Sequence, residues 1–379
     1  MNDAANKALL PDGLRDGLPP EAEHEAAVTA RLLAAFAARG YERVEPPLVE
    51  FEDSLLDATG AALALTTFRL MDPVSQRMMG LRGDITPQIA RIATSRLAKA
   101  PRPLRLAYAG PVLRVRGSQL QPERQIPQVG IELIGSDETG AHVEVMLLAA
   151  EALQGVGVEG LSLDINLPTL VATVCAELGL DDSTARRARR ALDRKDAAAV
   201  TAIGGQGAEI LGGLLAAVGH ADATLAVLDA LALPTEAAAE RTRLREVLAE
   251  LRAAAPGLAI TVDPVEHRGF EYQTGISFSL FARGVRGELG RGGRYAVGAK
   301  DEPATGFTLY LNSLVRALPP GNARPRLFLP HGTAHAVGIA LRADDWITIA
   351  GLGPVADARA EARRLGCSHW LAGDKPESV

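Results

Sequence analysis

LRLAYAGPVLRVRGSQLQPERQIPQVGIELIG, residues 104–135, is the stretch whose reading decides the fold. Apolar residues open it, an Ala-Gly-Pro step interrupts it, and Val112, Leu113 and Val115 follow. It closes on Val129, Ile131, Leu133 and Ile134. Alternating apolar positions at both ends read as two strands. Gly117 to Pro127 is polar, carries Gly, Ser, Pro and Gln, and reads as the loop between them. The expectation is a long antiparallel hairpin with Arg114, Arg116 and Arg124 near its loop. Gln128, Gly130 and Glu132 are two apart on the return strand, so their side-chain directions fall on one face. That polar stripe suits either a binding surface or the wet face of an antiparallel sheet.

The chain has 379 residues, enough for two domains or one large domain with an appendage. Hydrophobic residues make up 47% but aromatics only 4%, so the core must be built mostly from Ala, Leu and Val. The net charge of −6 offers no electrostatic argument for nucleic-acid binding as the main task. Cys175 and Cys367 are far apart and lack neighbours at metal-ligand spacing, so neither a disulfide framework nor a zinc site is indicated. His369, two residues after Cys367, reads as a chance neighbour. With no apolar leader region and no run of ~18 apolar residues, a soluble, cytoplasmic protein is expected.

Outward from the hairpin, Leu10 to Pro20 is a turn-rich entry. Glu21 to Arg39 is an amphipathic helix with Val28, Leu32, Leu33 and Phe36 on one face, closed by Gly40. Tyr41 to Val49 reads as a strand broken by Pro46-Pro47, which belongs at a sheet edge or bulge and is a possible dimer seam. Thr66 to Leu81 reads as a hairpin turned at Asp72-Pro73. Thr86-Pro87 has the form of a helix start, Thr86 as N-cap and Pro87 in the first turn, with Ile89, Ile92, Ala93 and Leu97 at helical spacing. A helix over Glu138–Leu153 and a strand over Leu161–Ile165 follow. Residues 168–256 read as a run of helices, with breaks at Gly179, Gly204-Gly205, Gly212-Gly213, Gly219 and Pro234. Leu258 to Val262 returns to a strand, and Tyr272 to Leu280 alternates like one. The glycine-rich LGRGGRYAVGA at 289–299 fits a β-turn, and residues 303–319 fit a strand leading into a helix. Beyond Pro325, Trp346–Leu352, Ala356–Leu365 and Ser368–Gly373 suggest a small β-α-β appendage.

Taken together these runs resemble the class II aminoacyl-tRNA synthetases, in the version found in histidyl-tRNA synthetase. Arg114 stands where motif 2 keeps its arginine, followed by Arg124, Gln125, Gln128, Gly130 and Glu132 in the family's pattern. The helix, Gly40-Tyr41 and the proline-broken strand resemble motif 1, the family's dimer interface. Arg82-Gly83-Asp84-Ile85-Thr86 is similar to the family's Arg-Pro-Glu-Gly-Thr, whose Glu and Thr contact the amino group of histidine. HRGFEYQTG at 267–275 resembles the Arg-Gly-Leu-Asp-Tyr-Tyr signature, with Arg268, Gly269 and Tyr272 matching and Gln273 in place of the second Tyr. Gly292 to Tyr295 matches Gly-Gly-Arg-Tyr, where Tyr295 would close over the imidazole; Ala296 replaces the Asp that follows.

The resemblance implies an α+β fold: a class II synthetase-like antiparallel sheet flanked by helices over residues 1–320, a helical insertion at about 168–256, and a small α/β appendage at 321–379 in place of the anticodon-binding domain. It implies a histidine site of Asp84, Thr86, Arg114, Gln128, Glu132, Arg268, Tyr272 and Tyr295. Adenylate formation is not implied. Two arginines clamp the triphosphate in those enzymes, and charge stabilisation of this kind is the main catalytic contribution. Here Arg114 remains, but Asn312 and Ser313 stand where motif 3 should carry its acid and arginine, and Arg116 reverses the charge of the motif 2 glutamate. A synthetase-like chain that keeps the amino-acid half and loses the clamp resembles the regulatory subunits of ATP phosphoribosyltransferase. Their role implies a cytoplasmic hetero-oligomer with a short-form catalytic subunit, histidine as feedback effector, self-association through the motif 1-like segment, and no cofactor, metal, nucleic acid or membrane. A working histidyl-tRNA synthetase, or a paralogue serving another client, is the alternative.

Overall fold

A computed structural model of the chain describes residues 9–56, 67–117, 122–267, 272–319 and 324–379. Two compact units divide it between Pro319 and Pro320. In the first unit the chain begins with α1 (Glu21–Ala38), β1 (Glu42–Arg43), β2 (Val49–Phe51), α2 (Glu52–Leu56), β3 (Arg69–Met71) and β4 (Met78–Leu81). It continues through α3 (Thr86–Thr94), β5 (Leu104–Leu113), β6 (Gln125–Ile134), α4 (Thr139–Val156) and β7 (Leu161–Asn166). The insertion holds α5 (Leu170–Glu177), α6 (Asp182–Asp193), α7 (Ala197–Thr201), α8 (Gly205–Ala216), β8 (Gly219–His220), α9 (Ala221–Ala230) and α10 (Thr235–Ala254). The unit closes with β9 (Ala259–Asp263), β10 (Ser277–Ala282), β11 (Gly290–Val297), β12 (Glu302–Tyr310) and α11 (Leu311–Ala317).

The expected hairpin forms the second and third strands of the main sheet. β5 and β6 pair antiparallel from Leu104 opposite Ile134 to Leu113 opposite Gln125, so the return strand starts three residues earlier than the polar composition suggests. Among the described residues the sheet has nine strands in the order β1-β5-β6-β12-β11-β10-β7-β9-β8. Only the β1/β5 and β7/β9 pairs are parallel. Period-2 alternation sends Val129, Ile131, Leu133, Phe307, Leu309, Phe278, Leu280, Leu163 and Ile165 into a core shared with α1 and α4. Phe36 of α1 meets Phe307 edge-to-face, with ring centroids 5.6 Å apart. The opposite face is covered only in part, by α3, whose Ile89, Ala90 and Ala93 pack with Tyr108, Val112, Ile126 and Tyr295. The site lies on the part that α3 leaves open.

Several local expectations are corrected. The Pro46-Pro47 break does not bulge one strand: β1 joins the main sheet, while β2 leaves for a separate sheet in the order β2-β4-β3. The glycine-rich run is no turn but strand β11, paired along its whole length with β12. The strand expected from Tyr272 starts only at Ser277; before it, Thr274 N–H donates to Arg294 O and Arg294 N–H donates to Ile276 O. Gly212 and Gly213 lie inside α8 rather than at a break. Gly213 lets α8 approach Leu231, which would stand 2.4 Å from an added Cβ.

The second unit runs β13 (Arg326–Leu329), α12 (His335–Ala343), β14 (Ile347–Ala350), α13 (Ala358–Arg364), β15 (His369–Ala372) and β16 (Lys375–Ser378). Its sheet order is β14-β13-β15-β16, parallel except for β16. Leu327, Leu329 and Leu371 pack with Val337 and Leu341 of α12; Phe328 packs with Ala362 and Cys367 beside α13. Both cysteines are buried free thiols.

Candidate functional site

Glu132 is the centre of the open face, and strand register explains why. In β6 the alternation that buries Val129, Ile131 and Leu133 turns Gln128, Gly130 and Glu132 to the other side. Glu132 is opposed by Leu106 of β5 and Gly306 of β12; Gly130 is opposed by Tyr108 and Thr308. The glycines make the room. A Cβ at position 306 would stand 1.8 Å from Glu132 Oε2, and one at 130 would stand 2.4 Å from the Tyr108 hydroxyl and 2.3 Å from the Phe307 carbonyl oxygen.

The Glu132 side chain is 1% exposed and accepts from three hydroxyls. Tyr295 OH donates to Oε2 at 2.8 Å, Thr86 Oγ1 to Oε1 at 2.9 Å, and Tyr108 OH to Oε1 at 3.3 Å. Tyr108 OH also shares a 2.7 Å hydrogen bond with Thr308 Oγ1. Burial pushes the carboxyl up to about 8, against the three hydroxyls, which favour the charged form; the charge of Asp84 adds to the rise. Burial likewise pushes Tyr108 and Tyr295 well above the usual phenol value, so both stay protonated as donors.

The loop before α3 brings a second set of groups. The sequence pattern makes Thr86 an N-cap, but Thr86 is the first helical residue and its hydroxyl goes to Glu132. Asp84 does the local work: its Oδ1 accepts from Thr86 N–H at 3.0 Å, which suits a carboxylate at a helix N-terminus. Ile85 N–H donates to Gln128 Oε1 at 3.2 Å, tying the loop to β6. Arg82 fixes the loop from below. It is 5% exposed and donates from Nε to Pro111 O at 2.8 Å and from Nη1 to Pro46 O at 2.9 Å.

Asp84, Thr86, Tyr272 and Tyr295 line a cleft of about 510 Å³ whose wall continues through Arg91 and residues 296–299. Thr86, Glu132, Tyr272 and Tyr295 also line a narrow inner recess with Gln273, Arg291, Gly293, Gly306 and Thr308. Tyr272 is 52% exposed and stands at the rim, its ring edge-on to Tyr295 at 6.2 Å. Gln128 is fully buried behind the recess, its Nε2 without a partner among the described residues. Arg114 lines neither space. It follows the end of β5, near enough to Tyr310 to act on its charge. Arg268 lies outside the described residues. Tyr108 and Thr308 were not singled out by the sequence pattern. Their only signal was alternation, Tyr108 in the strand that the hairpin reading already pairs with β6 and Thr308 in one whose pairing with β6 the sequence does not declare.

Asn312 and Ser313 are buried at the start of α11, and Ser313 Oγ accepts from Arg316 at 3.2 Å. Arg291 is engaged by Glu288 at 2.5 Å. Among the described residues no group of three or more His, Cys, Asp or Glu side chains is placed to hold a metal ion. The arrangement can recognise a small polar molecule by hydrogen bonds to one buried carboxyl and by aromatic packing.

A nine-stranded, mainly antiparallel sheet carrying such a recess defines a class II protein of the histidyl-tRNA-synthetase type, and the family model described as histidyl-tRNA synthetase matches residues 13–314. The chain is 58% identical over 372 residues to the ATP phosphoribosyltransferase regulatory subunit of Rhodospirillum centenum, covering 98% of this chain and 96% of the relative. It is 57% identical over 374 residues to the protein of the same description from Paramagnetospirillum magneticum, covering 99% and 98%. A solved structure from Bacillus halodurans, described as an ATP phosphoribosyltransferase regulatory subunit/histidyl-tRNA synthetase, matches with a TM-score of 0.81 at 25% identity, over 94% of this chain and 96% of that one. The chain belongs to the family of ATP phosphoribosyltransferase regulatory subunits.

Proposed function

We propose that this chain is the non-catalytic regulatory subunit of ATP phosphoribosyltransferase, that it assembles with the catalytic subunit, and that free histidine binds at Glu132 and lowers the activity of the complex. The single observation that carries the site assignment is a buried carboxyl ringed by the hydroxyls of Thr86, Tyr108 and Tyr295 beside a cleft open to solvent. Glu132 takes the imidazole end with Gln128 behind it, Asp84 and Thr86 take the ammonium group, and Arg268 takes the carboxylate. Tyr272 and Tyr295 pack against the ring. Histidine regulates by binding one of two conformations of the complex more tightly. Asn312 and Ser313 in place of an acid–arginine pair support binding without activation.

The test measures ATP phosphoribosyltransferase activity of the catalytic subunit alone, with this chain, and with this chain plus histidine. The reading requires a rise in rate on adding the chain and a fall on adding histidine. A rate indifferent to the chain would sink the regulatory role. A rate raised by the chain but indifferent to histidine would sink the feedback role. Histidine-dependent pyrophosphate exchange by this chain would restore the synthetase alternative.

A further inference from the structure

We propose that Asp137 is the joint through which histidine bound at the cleft acts on the helical insertion, α5 to α10, and that it is a positioning residue for feedback inhibition rather than for binding. This rests on the reading of the cleft as a histidine site. The argument starts from two unequal spaces on either side of one segment. The recess beside Glu132 holds only about 10 Å³ of free space, close to the least that one water molecule needs. Glu132 is buried, so a ring reaches its carboxyl only if the wall gives way. Behind the wall there is room. Tyr272 and Gln273 line the recess, and the next residues, Thr274, Gly275 and Ile276, line a separate cavity of about 580 Å³ shared with Glu240 and Arg243 of α10. Residues 272–276 are thus a partition between a tight recess and a wide cavity against the insertion.

The partition is fastened to β11 at Arg294. Thr274 N–H donates to Arg294 O at 2.9 Å, and Arg294 N–H donates to Ile276 O at 3.0 Å. Gly275 lies on the same side chain, since a Cβ there would stand 3.0 Å from Arg294 Cδ. The next residue of β11 is Tyr295, whose hydroxyl holds Glu132. A shift of the partition or of Tyr295 therefore moves the Arg294 guanidinium. That group ends on Asp137, in the turn between β6 and α4, where Arg243 arrives from α10. Arg294 Nη1 donates to Asp137 Oδ1, and Arg243 Nη1 donates to the same oxygen at 3.3 Å. Two guanidiniums at one oxygen repel each other, and the carboxylate between them holds them together. His142 of α4 is buried near all three groups and adds no charge near neutral pH: burial first, then the two guanidiniums, push its ring down to about 4. Among the described residues, Asp137 alone joins α10 to β11 by ion pairs or hydrogen bonds. A second tie holds α10 to the start of α4 without touching β11: Thr139 Oγ1 donates to Glu246 Oε2 at 3.0 Å. Ion pairs between rigid elements are one physical means of carrying such coupling.

Two measurements on the full-length protein test this: calorimetry of histidine binding, and the rate of the complex with the catalytic subunit at saturating histidine. Asp137 is half-exposed, so its replacement leaves the core alone. Asp137→Asn should bind histidine within about twofold of wild type, yet its inhibited complex should run about fivefold or more faster than the inhibited wild type. Arg243→Gln breaks the same joint from the other side and should behave alike. Asp137→Glu keeps the carboxylate and should restore inhibition. Glu246→Gln weakens only the second tie and should be inhibited as the wild type is. Full inhibition in Asp137→Asn and Arg243→Gln would overturn the joint while leaving the histidine site standing. So would loss of inhibition in Glu246→Gln, because any loosening of α10 would then suffice, and so would tenfold weaker binding in Asp137→Asn, because Asp137 would then shape the site itself. A wild type that does not bind histidine, or binds it without inhibition, would overturn both the joint and the reading beneath it.

Discussion

Glu132 is a carboxyl held in a place where its charge is costly, and this has a measurable sign. The unfolded chain keeps the ordinary value of 4.5, whereas burial raises the folded value to about 8. Below 4.5 both states are protonated and the folded state bears no penalty. As pH rises from there to about 8, the folded protein retains a proton that the unfolded chain has lost, so stability falls by up to about 1.4 kcal/mol per pH unit, then levels off. Chemical denaturation across that window should show this slope in the wild type and lose it in Glu132→Gln. Equal slopes would mean that Glu132 titrates normally. A Glu132→Ala protein should stay folded and lose histidine binding in calorimetry, because the ring loses its hydrogen-bond partner at the buried carboxyl; unchanged affinity would refute the site assignment. Strand alternation alone put Gln128 and Glu132 on one face. It could not show that Thr86 serves Glu132, since a threonine before a proline has a sufficient local explanation as a cap.

At the scale of elements, glycine pairs behave oppositely according to what faces them. In α8 a Cβ on Gly212 meets nothing within 4 Å, whereas a Cβ on Gly213 meets Leu231 at 2.4 Å. Gly212→Ala should stabilise by about 0.5–1 kcal/mol, from helix propensity and reduced unfolded-state freedom. Gly213→Ala should destabilise by about 1–3 kcal/mol through overpacking, unless Leu231 moves aside. Urea midpoints of the two variants decide it; equal shifts would mean that α8 and Leu231 do not meet as described. In the sequence the two glycines look alike and read as a break, because propensity is local and the neighbour that distinguishes them is distant. The glycine-rich run in β11, which a β-turn would also fit, is ambiguous in the sequence for the same reason. Its glycines serve close backbone approach: a Cβ on Gly292 would stand 2.3 Å from Gly306 O.

At the scale of the whole molecule, the hairpin paired with β2, next to the segment expected to form a seam between copies, presents apolar surface. Leu48 precedes β2, and the β3–β4 hairpin exposes Leu70, Met71, Val74 and Met78, with Val74 at 91%. Exposed apolar residues gathered on one short hairpin are a common mark of an interface. If copies associate here, Met71→Glu combined with Val74→Glu should shift the protein toward monomer in light scattering, while the main sheet keeps its thermal transition. An unchanged mass would move the self-association surface elsewhere.

The sequence by itself determined the β5–β6 hairpin, the face carrying Gln128 and Glu132, the run of helices between β7 and β9, the strand-into-helix ending of the first unit, and the missing arginine at Ser313. These are properties of period, composition and residue type along a continuous stretch, and neighbours in sequence suffice to express them. Only the tertiary structure decided that Tyr108, Thr308 and Tyr295 meet around one carboxyl, that Gly293 stands opposite Gly306, and that Arg114 lines neither cleft. Those facts depend on which strands become neighbours and in what register. Register is set by burying one face of the whole sheet against α1 and α4 at once, a condition that no single stretch of the chain contains.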